Sequence, residues 1–439
     1  MVKKITEELA NNQTFKSYIV FWMGQLFSVL GSSVSHFAII WWITDTTGST
    51  MLLSLASFLY VLPMTIVVAL SGVVIDKWNR KTIIVVVDSL QAYVMLLIII
   101  IFNLGVANPI LIVAIMSLFG IFQGFHIPTV TAIVPTMVPR EKLSRMNGVN
   151  FFFRSFTQII GPVIGAMLFS FIPLKIILWI DPLTFIIAFI PLLVIKIPKI
   201  KREVSAVKKN SFLEDFKIGF RTLKSIPIVF MMLLISMFIN FLFVPLNILM
   251  PYFIRYNHSG DPSNLAFVIA FMNGGMLLGA LLTSIKKEWK HALFIYFGLE
   301  FILMMIGGIF AITPYRLFLM MGIVVGIAGI TIPILNTIYL TIMQLKVPTD
   351  KMGRLSSLDW AISSAITPIA TIITGPLSEM IGVTNLFLSC SIIGMIITLI
   401  LWWVAHIRVN KNNNRKELEE IEMSIERASK EKWKKSKKW

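Results

Sequence analysis

Five ionisable side chains fall inside long apolar runs of the chain: Asp88, Arg154, Asp181, Glu300 and Asp359. A charge held at bilayer depth is expensive, so such groups face a partner or a wet cavity and mark ion or substrate paths. A carboxyl that is dry in one state and wetted or paired in another takes up and releases a proton. Reversible proton binding is therefore the chemistry these residues offer. Asp359 and Asp181 head the set, with Glu300 and Asp88 next. The competing reading of Asp88 and Asp181 is a polar anchor between packed helices. Bond-breaking chemistry has no comparable support. The single cysteine, Cys390, excludes an intrachain disulfide and a Cys-rich metal site. His36, His126, His258, His291 and His406 show no paired ligand spacing, and the chain has no Walker A loop, zinc-protease helix or Gly-x-Ser-x-Gly elbow. No enzyme activity, no cofactor and no metal are expected.

The elements that must position these groups are membrane helices. Hydrophobic residues make up 56% of the chain and charged ones 14%, where a soluble domain carries about a quarter charged. Apolar runs long enough to cross a bilayer occur at about 18–43, 51–75, 82–104, 109–137, 147–171, 174–195, 227–254, 264–285, 291–311, 315–343, 355–381 and 384–407. The first is too long for a signal-peptide core and is expected to be retained. Alternate loops and both ends hold 35 of the 39 Lys and Arg residues, while Lys175, Arg255 and Arg316 fall in the opposite loops. This bias predicts both termini in the cytoplasm. It also assigns the net charge of +17 to topology and anionic lipid heads rather than to nucleic acid.

The chain repeats itself. Val138-Pro-Arg-Glu-Lys-Leu-Ser-Arg-Met146 returns as Val347-Pro-Thr-Asp-Lys-Met-Gly-Arg-Leu355, an offset of 209 residues. Gly124-Phe-His-Ile-Pro128 returns as Gly329-Ile-Thr-Ile-Pro333, and Gly161-Pro162 as Gly375-Pro376. Repeats in the same order predict two parallel bundles with a site between them, the logic of a rocking transporter. The predicted organisation is all-α: a six-helix bundle over 1–195, a basic linker over 196–226, a second six-helix bundle over 227–407 and a polar tail over 408–439. Leu213, Phe216, Phe220 and Leu223 recur at helical spacing, as in an amphipathic helix on the membrane face. By the same offset Asp359 corresponds to Asn150, one turn before Arg154, so Arg154 and Asp359 are expected at similar depths.

The loop between the second and third runs reads Gly72-Val-Val-Ile-Asp76-Lys77-Trp-Asn79-Arg80-Lys81. It resembles the signature loop of the major facilitator superfamily, Gly-x-x-x-Asp-Arg/Lys-x-Gly-Arg/Lys-Arg/Lys, at Gly72, Asp76, Lys77, Arg80 and Lys81. Asn79 stands where glycine is usual, and Asn also tolerates a left-handed turn. The resemblance implies a conformational switch in which Asp76 faces the N-terminus of the eleventh span, near Arg354. A carboxylate there gains from the helix dipole. The second half keeps only a trace, Gly279, Thr283, Lys286 and Lys287. Gly161-Pro162-Val-Ile-Gly165 resembles the Gly-Pro motif that the superfamily's exporters carry in span five, with Gly275-x-x-x-Gly279 of span eight as its expected close-packing partner. Gly120-x-x-x-Gly124 and Gly322-x-x-x-Gly326 suggest similar contacts in spans four and ten.

Gln123-Gly124 lacks the arginine that the best-known drug exporters place three residues earlier; Gly120 stands there. Phe125-His126-Ile-Pro128, Trp22-x-Gly24-Gln25, Thr47-Gly48-Ser49 and Gly353-Arg354 instead look like macrolide-efflux-type exporters of the drug:proton antiporter group. That resemblance implies a monomer in the bacterial plasma membrane that uses protons to export small amphipathic compounds. It also implies a cavity lined by spans one, four, seven and ten, with Gln25, His36, Gln123, His126, Asn240, Asn247 and Asn336 as polar markers. An exporter of a siderophore, peptide or lysolipid is the alternative within transport. A membrane sensor or a membrane-embedded enzyme is the alternative of another class.

Overall fold

A computed structural model describes residues 10–198, 220–221, 223–224, 226–285, 291–347 and 349–407. The described residues contain twelve helices long and apolar enough to cross a membrane. They are α1 Asn12–Thr47, α2 Thr50–Lys77, α3 Arg80–Asn103, α4 Pro109–Met137 and α5 Arg140–Phe171. α6 is Leu174–Val194, α7 Pro227–Asn257, α8 Pro262–Ile285, α9 Ala292–Ala311 and α10 Phe318–Lys346. α11 is Thr349–Ile381 and α12 Val383–Ile407. The even number returns the chain to the face from which it set out. That face is called terminal below, and the other distal.

Polar residues set the helix starts. Asn11 caps α1 through a reciprocal bond with Thr14, and Ser49 caps α2 at the Leu52 amide. Asn79 corrects the expectation of a left-handed turn. Its φ of −70° is extended, and its side chain caps α3 by accepting from the Lys81 amide. The repeated Val-Pro phrase is a helix boundary: Val138 closes α4 in an extended conformation and Pro139 precedes the first residue of α5. Val347 closes α10 in the same way before α11 begins.

α1 to α6 pack together, as do α7 to α11, and the halves meet chiefly where α2 lies along α11 and α5 along α8. These two seams are exchanged by the repeat, which maps α2 onto α8 and α5 onto α11. Within each half, helix backbones approach closely at glycines. A Cβ on Gly120 would strike the Tyr60 carbonyl, and one on Gly124 would crowd Val67 and the Met64 carbonyl, fixing α4 to α2. Gly275, Gly279 and Gly329 do the same between α8 and α10, against the carbonyls of Gly326, Ile330 and Met272. The glycines of α5 and α8 therefore do not pack on each other as the sequence suggested. Gly161 and Gly165 meet Ser33, Val34 and Phe37 of α1, inside their own bundle. Pro162 lies within α5 without ending it.

The apolar core shows how the halves are joined. One continuous cluster runs through both, from Val34, Ile43 and Ile98 to Leu249, Phe253 and Phe310, and in the second half reaches Met231, Met232 and Ala405 near the terminal face. Toward the terminal face lie two smaller clusters. Tyr18, Ile84, Met137 and Leu192 form one; Leu233, Met343, Leu355 and Leu358 form the other, which also takes in Phe220 and Leu223. Among the described residues, apolar contact joins the halves at the distal end, while the two smaller terminal-side clusters each stay within one half.

Candidate functional site

The membrane acids lie in separate polar clusters. In the first bundle Asp88, on α3, is 6% exposed. It accepts from Gln25 Nε2 of α1 at 3.0 Å, and His126 Nε2 of α4 lies 3.3 Å from its other oxygen. The same imidazole nitrogen is 3.2 Å from Gln25 Oε1. Gln91 donates to Gln123 one turn away, at 3.2 Å. Gln25, Gln123 and His126 are thus bound up inside the bundle. Asp181, near the distal start of α6, accepts from Ser32 of α1. His36 is exposed although it lies deep in α1, and its ring stands 6.3 Å from that of Tyr60. Arg154, also exposed, is close enough to Tyr60 to act on it electrostatically.

In the second bundle Glu300, on α9, is 3% exposed, with Tyr296 one turn before it on the same helix. The Tyr296 hydroxyl lies 2.6 Å from Ser236 Oγ of α7. Glu300 opens into a cavity of about 100 Å³ between α7, α9 and α10. Asn240 and Asn336 line that cavity and are exposed. At its edge Tyr339 donates to Asp359 of α11. The repeat-related position Asn150 also bonds a tyrosine, donating to Tyr18 at 3.2 Å. Asn247 is exposed, and its amide reaches the Phe243 carbonyl of the preceding turn. Among the described residues no group of His, Cys, Asp and Glu is arranged to hold a metal.

The tyrosines and serines were missed by a search for charge, since a phenol carries no sign that hydropathy detects. The four-residue spacing of Tyr296 and Glu300 was the available signal.

The signature-like loop is read in part. Arg80 donates to the Ala132 carbonyl of α4 at 2.8 Å. Lys81 Nζ donates to the Leu193 and Ile195 carbonyls at 2.6 and 2.7 Å, at the end of α6. A cation at a helix C-terminus answers both the helix dipole and the unpaired carbonyls. Gly72 has open space over its Cα. The side chains of Asp76, Lys77 and Arg354 lie outside those described, as do residues 199–219, which hold Leu213 and Phe216, and 286–290 with Lys286 and Lys287.

At the distal face a latch crosses between the bundles. Arg255 Nε, at the end of α7, lies 2.7 Å from Asp45 Oδ1, at the end of α1. The Tyr256 hydroxyl donates to the Thr44 and Asp45 carbonyls, each at 3.2 Å. Beside it His258 accepts the Arg316 amide at Nδ1; burial holds this imidazole below its ordinary pKa, which keeps the nitrogen an acceptor. The ion pair is about 40% exposed on each side, so it is worth about 0.2–1 kcal/mol. Asp45→Arg should therefore lengthen the distance between spin labels at Thr47 and Asn257 in up to about a fivefold larger share of molecules. The exchange Asp45→Arg/Arg255→Asp should restore it; no change in the single variant would leave the closure to packing alone.

A second concavity, of about 880 Å³, is walled by apolar residues of α5, α8 and α10, including Phe151, Phe152, Leu278 and Ile327. It offers almost no polar group with which to orient a ligand, unlike the Glu300 cavity.

Twelve candidate membrane helices in two repeat-related halves, bridged at the distal face, with buried acids in each, describe a multi-pass membrane transporter. The chain belongs to the Major Facilitator Superfamily, whose family model matches residues 21–366, and is a secondary transporter. It is 28% identical over 383 residues to macrolide efflux protein A of Streptococcus pyogenes, covering 87% of this chain and 94% of that one. It is 21% identical to the multidrug efflux pump Tap of Mycolicibacterium fortuitum, covering 82% and 89%. Among solved structures, a bacterial homologue of the lysosomal transporter Spinster superposes with a TM-score of 0.65 at 15% identity, covering 90% and 96%. A bacterial homologue of the iron transporter ferroportin superposes with the same score at 14% identity, covering 88% and 98%. These likenesses support the fold.

Proposed function

We propose that the protein is a proton-coupled exporter of amphipathic compounds, macrolide-like antibiotics among them, working by alternating access with both termini in the cytoplasm. One observation carries the reading: buried carboxyls on candidate membrane spans stand in both halves of a body whose halves are bridged at the distal face. Asp88 with Gln25 and His126, and Asp359 with Tyr339, are the proposed proton sites; Asp181 with Ser32 is a further candidate, and Arg154 an exposed charge on α5. Deprotonated acids favour the outward-open state, and cargo leaves as protons bind. Asp76 is the proposed switch at the N-terminus of α11. The similarity to macrolide efflux protein A and the positive-inside bias support the cargo and the direction.

The test is efflux of erythromycin and of a fluorescent lipophilic cation from cells expressing wild type or Asp76→Asn, with and without an uncoupler. Efflux should collapse with the uncoupler and with the substitution. Efflux that survives the uncoupler rejects proton coupling. A correctly inserted protein that moves neither compound rejects the drug reading in favour of a siderophore, peptide or lysolipid.

A further inference from the structure

The membrane acids differ in what answers their charge. Asp88 has the His126 imidazole at 3.3 Å and the Gln25 amide at 3.0 Å. Asp181 is 4% exposed and holds Ser32. Asp359 receives the Tyr339 hydroxyl. Glu300 lines a cavity, and among the described residues no Lys, Arg or His lines that cavity with it. An ionised Glu300 therefore has no cation among the described residues that wall this cavity.

The rest of the wall fits a missing cation. The rings of Tyr296 and Tyr339 are 6.3 Å apart at 31° to each other, and Phe243 adds a third aromatic face. A carboxylate among aromatic faces is the environment that holds a substituted ammonium, by charge and by the ring quadrupoles together. Asn240 and Asn336 are exposed on the same cavity, so it can be reached from outside the bundle. Its volume, about 100 Å³, is well below the roughly 300–1,000 Å³ of a site that encloses a whole drug. It fits one headgroup, with the remainder of the cargo outside.

We infer that the Glu300 cavity is the subsite for the ammonium group of an amphipathic cationic cargo. The inference rests on the export reading for the claim that the ligand is cargo, and it narrows that cargo to compounds bearing a substituted amine. Tyr296 and Tyr339 wall the cavity beside the carboxylate, and their rings exclude water around the bound methyl groups.

The experiment uses the purified full-length chain in detergent, with no proton gradient. The probes are a dansyl-tagged trimethylalkylammonium and its uncharged tert-butyl isostere, titrated by fluorescence. Glu300→Gln should weaken the ammonium probe by more than about fiftyfold, because a desolvated charge pair is lost, and leave the isostere within about twofold. Phe243→Ala, which leaves the carboxylate in place, should weaken the ammonium probe by about fivefold and serves if Glu300→Gln does not fold. Equal affinity of the wild type for the two probes overturns the inference, as does an equal loss of both in either variant. The failures are separable. Charge-selective binding through Glu300 with uncoupler-insensitive efflux removes proton coupling and keeps the subsite. Coupled efflux without charge-selective binding does the reverse.

Discussion

Asp88→Asn should abolish uphill efflux and leave downhill exchange of cargo intact. Asn has the shape of Asp and can still accept from Gln25 Nε2, now 3.0 Å away, so the packing of α1 on α3 has no reason to change. What it cannot do is bind and release a proton, or answer a protonated His126 at 3.3 Å. In a secondary transporter the cargo gradient is maintained only by the ion step. A variant that cycles without that step equilibrates its cargo instead of concentrating it. The check is a paired assay in vesicles: accumulation driven by an imposed pH gradient, and counterflow with none. Accumulation should fall to the level of empty vesicles while counterflow persists. Normal accumulation would make Asp88 a polar anchor between helices, the ordinary alternative for a buried acid in a bundle. Loss of both activities would place Asp88 in the folding or rocking of the bundle.

Gly275→Ala should be far more damaging than its size suggests, while Gly274→Ala should be silent. A methyl on Gly275 would run into the Gly326 carbonyl of α10, a backbone atom that cannot swing aside. Gly274, one residue earlier, has nothing within contact distance of the same added atom. Forcing one carbon into a tight helix contact costs about 1–3 kcal/mol or more, here at the seam that binds α8 to α10. Without a hydrophobic drive between helices in lipid, such small-residue contacts carry much of their association. Thermal melts of the purified variants should separate them clearly. Equal stability would mean that α8 and α10 are not held by this contact.

Much of the architecture was legible because a span needs about twenty apolar residues and a window of that length reports it. The charged ends were not. α5 begins at Arg140 rather than 147, and α11 at Thr349 rather than 355, since the amphipathic first turns carry too many polar residues to resemble a span. Gly-x-x-x-Gly spacing announces a close approach but not against whom. Gly161 and Gly275 both found partners within their own bundles. Asn79 could be read as a turn or a cap, and the side-chain bond to the Lys81 amide decides for the cap. The acids were visible at once as charges in apolar runs. Their partners were not, because Ser32 and Tyr339 come from other helices and are joined to Asp181 and Asp359 only by the tertiary fold.

The bridged distal face bears on how such a transporter could be blocked. With the termini in the cytoplasm, as proposed, the bridged end carrying Asp45, Arg255 and Tyr256 is the one presented to the medium. An inhibitor aimed at the Glu300 cavity then meets a shut door from outside and must be membrane-permeant, or wait for the brief outward phase of the cycle. Screens on intact cells would favour permeability over fit. Inverted vesicles, which expose the terminal face, would rank the same compounds by affinity, and the discrepancy between the two rankings would itself report which face is shut at rest.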